Sequence, residues 1–165
     1  MKKKTLSYLI LLLLFGFILI QCADPVSFPP EIPIEALLSA PDTLLIENQS
    51  FILSADLWRD FAPISPPGGN PLIAILYIET VDSSAISTSI SADVIYVVNN
   101  DQVWKSSFSK EGAPSTELKP YRITKIARDG PKWGPGIYVD VIVNIKATNN
   151  NFLLRAGDQY IERTD

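Results

Sequence analysis

The sequence predicts an all-β protein: one antiparallel β-sandwich of seven or eight strands, preceded by an exported N-terminal segment. Three observations predict it. Apolar residues recur with period two over long stretches, as in Ile137, Val139, Val141, Val143, Ile145 and Ala147. Clusters of Asn, Asp, Gly and Pro separate these stretches. No long segment carries the 3.6-residue apolar period of an amphipathic helix.

The elements follow in order. Residues 23–42 hold five of the 13 prolines. Proline fixes φ and lacks an N–H, so residues 22–42 read as an extended, semi-rigid tether, with one helical turn over Ile34–Ser39. The domain is expected over 43–165. Thr43–Glu47 reads as an edge strand and Ser50–Arg59 as the next. Leu72–Thr80 is apolar on both faces and reads as a central strand. In Ile86–Val98, one face runs Ile86, Thr88, Ile90, Ala92, Val94, Tyr96, Val98. The other runs Ser87, Ser89, Ser91, Asp93 before turning apolar at Ile95 and Val97. Asn99-Asn100-Asp101-Gln102 then suits a hairpin into Val103–Phe108, because Asn and Asp tolerate left-handed backbone. Tyr121–Ile126 is a further strand. Ile137–Ala147 and Phe152–Ala156 form a second hairpin around Asn149-Asn150-Asn151, with Asp158–Arg163 extending the last strand.

Strands at this spacing imply an antiparallel sandwich or small barrel. The favoured architecture is an immunoglobulin-like or fibronectin-III-like sandwich. Pro135-Gly136-Ile137-Tyr138-Val139-Asp140-Val141 resembles the turn into a strand found in many bacterial immunoglobulin-like domains.

The N-terminus begins Met-Lys-Lys-Lys, and an apolar run extends from Leu6 to Ile20, broken by Ser7, Tyr8 and Gly16. Basic residues before a short apolar run are the pattern of a signal peptide, here residues 1–21. The run is short of the roughly 20 residues that span a bilayer. It ends in Leu19-Ile20-Gln21-Cys22. This resembles the lipobox of bacterial lipoproteins, although Gln21 stands where Ala, Gly or Ser is usual. The resemblance implies a diacylglyceryl group on Cys22, cleavage before it, and a chain beginning at the lipidated cysteine. Anchoring by two or more acyl chains is stable. The implied location is the bacterial cell envelope, the outer membrane ahead of the inner.

Composition narrows the chemistry. The chain has 165 residues, no His and one Cys. It offers no imidazole base, no Ser-His-Asp triad, no internal disulfide and no Cys cluster for zinc. Removing residues 1–21 removes three Lys and no acid, so 14 Lys+Arg and 18 Asp+Glu become 11 and 18, a net charge of −7. That balance argues against nucleic acid as a partner. No cofactor beyond the lipid, and no metal, is expected. Asn99–Asp101 and Asn149–Asn151 offer hard oxygen ligands for calcium. The spacing matches no EF-hand, and both clusters are explained as hairpin turns.

Two segments are candidate binding loops. Arg59–Pro71 carries four prolines, with Arg59 and Asp60 at its base, directly after Trp58. It reads either as a recognition loop or as a crossover in which Arg59 and Asp60 pair. Asp129–Gly136 holds Trp133 among three glycines and two prolines. Trp133, joined by Trp58 and Tyr138, would stack on a sugar or anchor a protein; alternatively it folds over one end of the core.

The expected function is a non-enzymatic envelope module that presents a β-sandwich to a protein or glycan. One alternative is a glycan-active hydrolase using paired carboxylates, with Asp56, Asp60, Glu79, Asp93 and Asp140 as candidates. Another is an assembly component of a multiprotein envelope complex, which would offer an edge strand to a partner.

Overall fold

A computed structural model describes residues 32–109 and 119–165. The signal segment, Cys22 and the tether up to residue 31 lie outside the described residues.

One short helix, α1 (Ile34–Leu38), precedes eight strands. These are β1 (Thr43–Ile46), β2 (Gln49–Asp60), β3 (Leu72–Thr80), β4 (Ile90–Asn99), β5 (Gln102–Ser107), β6 (Arg122–Gly130), β7 (Tyr138–Ala147) and β8 (Asn150–Thr164). The all-β class therefore holds. The strands form one curled sheet in the order β5-β4-β7-β8-β2-β3-β6, with β1 on β2.

One pairing departs from the antiparallel expectation. Leu57–Asp60 of β2 runs parallel to Ile161–Thr164 of β8, so the sheet is mixed. The reason lies in the length of two strands. The first half of β2 pairs with β1 along the same edge that its second half offers to β8. The 15-residue β8 pairs with β7 from Asn150 onward and reaches β2 with its last residues. A bulge lies between, where Val139 pairs with Gln159 but Val141 pairs with Ala156, and Asp158 takes φ 54°. Such a bulge bends a strand and raises its twist, which lets one strand serve both halves of a curled sheet.

The inner face holds the main core. It includes Phe51, Leu53 and Leu57 of β2, Leu72 to Ile78 of β3 at alternate positions, Ile95 and Val97 of β4, Val139 to Ile145 of β7 at alternate positions, and Leu154 and Ile161 of β8. The two ends of the sheet approach each other. Ser109 N–H donates to Ile126 O at 2.8 Å. Trp104 of β5 lies so close to Gly130 of β6 that a Cβ there would sit 2.9 Å from its ring. Only glycine fits between Trp104 and Leu72 at that position.

A second cluster lies on the outer face of β4 and β7. Tyr96, Val98 and Ile142 are covered there by Leu37 and Ala40, with Ile32, Ile34 and Leu38 alongside. Leu37 is fully buried. Arg155 ties the cover down: its backbone N–H donates to Pro41 O at 2.9 Å and its Nη1 to Leu38 O at 3.0 Å. Residues 32–42, grouped with the tether on composition, thus pack on the domain. Burial of an apolar residue such as Leu37 contributes about 1.5–3 kcal/mol, enough to fix a five-residue helix too short to form alone.

The strand expected over Ile86–Val98 begins at Ile90 and contains a bulge. Ala92 pairs with Ile145, but Val94 pairs with Asn144. An extra residue inverts the alternation. Ile90, Ala92, Ile95 and Val97 face the main core, whereas Val94, Tyr96 and Val98 face α1. The hairpin turns fall at Asn100 (φ 54°) and Thr148 (φ 52°), so Asn150 and Asn151 belong to β8.

Candidate functional site

The two unusual loops meet on one side chain. Arg59 lies near the end of β2, between outward-facing Trp58 and Asp60, and is only 2% exposed. Among the described residues it is the one buried charged group. Its Nε donates to Asn70 O at 2.9 Å, its Nη1 to Lys132 O at 3.1 Å and Gly134 O at 2.6 Å, and its Nη2 to Gly68 O. The guanidinium thus fastens 68–70 of the first loop to 132–134 of the second. Burial pushes its pKa down from the ordinary arginine value. Arginine still keeps its charge, and four carbonyl dipoles compensate it.

The pairing of Arg59 with Asp60, one of the two readings of that dipeptide, is not found. Adjacent strand residues point to opposite faces. Asp60 instead closes its own loop, accepting from Ala62 N at 2.9 Å and Asn70 Nδ2 at 3.1 Å. Arg59 and Arg163 both stack on Phe61, 4.9 and 4.2 Å from its centroid. Gly69, at φ 74°, must be glycine, because a Cβ would come 2.7 Å from the same ring. Trp133 is half-buried and packs against the main core, so its ring covers the core's end. Arg59, Asp60 and Trp133 therefore occupy one stiff, internally bonded corner.

Trp58 and Tyr138 lie elsewhere, on the outer surface. Trp58 points outward because Leu57 and Arg59 on either side are buried. Tyr138 is 65% exposed and packs against Tyr160, with ring centroids 5.1 Å apart and planes tilted by 53°. Sequence reasoning missed Tyr160 and Tyr77. Tyr160 stands in an extension whose register with Tyr138 and β2 was not readable. Tyr77 carries a signal, an aromatic residue within a strand, but the apolar pattern on both faces of Leu72–Thr80 groups it with the core. It is half-buried on the outer face, its hydroxyl donating to Asp56 Oδ2 at 2.8 Å. Burial and the Asp56 carboxylate raise the Tyr77 pKa above the ordinary phenol value.

The candidate carboxylates are each engaged by a neighbour. Asp93 receives Lys146 at 2.6 Å and Asn144 at 2.9 Å. Asp140 receives Arg155 at 2.9 Å, and Glu79 receives Arg122 at 2.7 Å. Among the described residues, no group of three or more His, Cys, Asp or Glu side chains is arranged to hold a metal ion. Likewise, among the described residues no helix is long and apolar enough to cross a membrane.

No known protein family, curated protein or solved structure matches this chain.

Proposed function

We propose that this chain is a lipid-anchored module of the bacterial cell envelope that binds a partner without transforming it. The observation that carries the reading is the place of Cys22, directly after the Lys-led apolar run Leu6–Ile20. An unpaired thiol elsewhere in an exported chain is a liability, whereas at this position it is an acylation site. In the same reading the curled sheet is an immunoglobulin-like sandwich, one layer built on β1, β2, β3 and β6 and the other on β4, β5, β7 and β8. Support for the binding role comes from the exposed Tyr138 and Tyr160 of the outer face and from the engagement of the candidate carboxylates by basic, amide and phenol groups.

The test is intact mass and membrane partitioning of the native protein beside Cys22→Ser. A mass fitting a chain that starts at Cys22 and carries lipid, with the variant released from the membrane or left unprocessed, is the expected result. An unlipidated chain, or one that retains residues 1–21, overturns the anchor.

A further inference from the structure

Tyr138 of β7 and Tyr160 of β8 stand opposite each other as register partners. Residues so placed on antiparallel strands hold their Cβ atoms about 5 Å apart. Here the ring centroids are 5.1 Å apart and the planes tilted by 53°. Gly136 leaves room for the contact. The Tyr160 hydroxyl lies 3.9 Å from where a Cβ on Gly136 would sit, so its ring leans over the start of β7, beside Tyr138. Both rings are open to water, at 65% and 47% exposure.

The other described tyrosines are placed differently. Tyr96 is buried beneath α1. Tyr77 is half-buried and donates its hydroxyl proton to Asp56. Burial raises the pKa of both, which opposes the proton loss that accompanies oxidation of a phenol. Tyr121 is half-buried, with Lys119 Nζ 5.9 Å from its centroid. Among the described residues, Tyr138 and Tyr160 are therefore the exposed phenols in ring contact.

We propose that Tyr138 and Tyr160 form a site of oxidative modification, where a one-electron oxidant of the haem-peroxidase class joins them as an intramolecular dityrosine. The oxidant removes one electron and one proton from each phenol. The two phenoxyl radicals couple through ring carbons next to their hydroxyls, forming one C–C bond. The hydrogens on those carbons leave as protons and the oxygens are protonated again, which restores both phenols. The protein loses two hydrogen atoms in all, and hydrogen peroxide, the terminal acceptor, becomes two waters.

The place of the bond gives it a consequence. On the far side of the β7–β8 bulge, two register pairs hold these strands together, Tyr138 with Tyr160 and Val139 with Gln159. The bond from Ile161 N–H to Ile137 O, 2.9 Å, adds to them. Here β8 leaves β7 for β2. A covalent link staples that junction and closes a loop over residues 138–160, which restrains the unfolded chain as a disulfide does. The inference needs neither the lipid anchor nor a binding partner, because both phenols are exposed on the folded domain.

The full-length protein, extracted in mild detergent and kept dilute, is treated with a haem peroxidase and hydrogen peroxide. Blue dityrosine fluorescence, a monomer lighter by two hydrogens and a peptide cross-link between residues 138 and 160 are expected. Tyr138→Phe and Tyr160→Phe keep the ring and lose the phenol, so each should abolish this link, whereas Tyr121→Phe should retain it. The linked monomer should melt about 5 °C or more above the untreated protein. The proposal is overturned by oxidation confined to tryptophan, by dityrosine formed only between chains, or by a link that survives either Phe variant. Absence of the link where free tyrosine in the same tube is coupled overturns it too. Equal melting of linked and untreated protein overturns the staple.

Discussion

The outer face of β4 and β7 carries Tyr96, Val98 and Ile142; the outer face of β2, β3 and β8 carries Trp58, Ile73, Tyr77 and Tyr160. Both are rich in large apolar and aromatic residues. The first is sealed by Leu37 and its neighbours, and Tyr96 is left 6% exposed. The second keeps Tyr160 at 47% exposure, and among the described residues no helix lies over it. What separates them is the polar set around each. The covered face is bordered by Arg155, which holds the chain that covers it. The open face carries one ion pair, Glu79 with Arg122, and one hydrogen bond, from the Tyr77 hydroxyl to Asp56. An apolar face meant to be covered recruits its own chain. One that stays open is kept soluble by satisfied polar groups between its rings.

The comparison can be broken or sharpened by substitution. The largest effect is expected behind the open face, at the buried guanidinium that fastens both loops to β2. Arg59→Leu strands four carbonyls and should cost about 3–5 kcal/mol of unfolding free energy, measured in urea. Next comes the cover itself. Leu37→Ala removes a fully buried side chain and should cost about 3 kcal/mol, with Tyr96 becoming accessible to iodination. A variant as stable as the native protein would show that α1 is not needed to seal this face.

Arg155→Ala removes the bond to Leu38 O and the partner of Asp140, a half-exposed pair, and should cost about 1 kcal/mol. Alkaline titration then probes both faces at once. Burial raises the pKa of Tyr77 and of Tyr96 above the ordinary value. A raised folded-state pKa means the unfolded chain loses its proton first. The stabilisation is therefore complete below about pH 10 and is lost as pH rises through the folded-state values. Tyr77→Phe and Tyr96→Phe should each flatten the alkaline fall in melting temperature; a native-like slope in both would assign the fall to other groups. Smallest of all is the stability effect of Tyr138→Ala on the open face, about 0.5 kcal/mol by thermal melting.

Much of the fold was legible in alternation and turn chemistry. Leu72–Thr80 coincides with β3, Ile137–Ala147 differs from β7 by one residue, and Asn99–Gln102 marks the β4–β5 hairpin. These features are local. They depend on side chains two apart sharing a face and on Asn accepting positive φ. The bulge between Ala92 and Val94 was visible only as an anomaly, the apolar turn of the polar face at Ile95 and Val97. Of the candidate site residues, Trp58 and Tyr138 reached the outer surface, while Arg59 and Trp133 were drawn into the corner. Charge and aromaticity attract attention in a sequence, but they do not say whether carbonyls or water will surround the group.

The sequence by itself determined the β class, most of the strands, both long hairpins, the absence of imidazole chemistry and the place of Cys22 just after an apolar run. Each is a property of composition or of residues a few places apart. Tertiary structure alone decided the parallel junction of β2 with β8, the docking of α1, the convergence of two loops on Arg59, and the contact of Tyr138 with Tyr160. These depend on which strand edges meet after the sheet curls. That is settled by burial summed over the whole core, in which residues a hundred positions apart become neighbours.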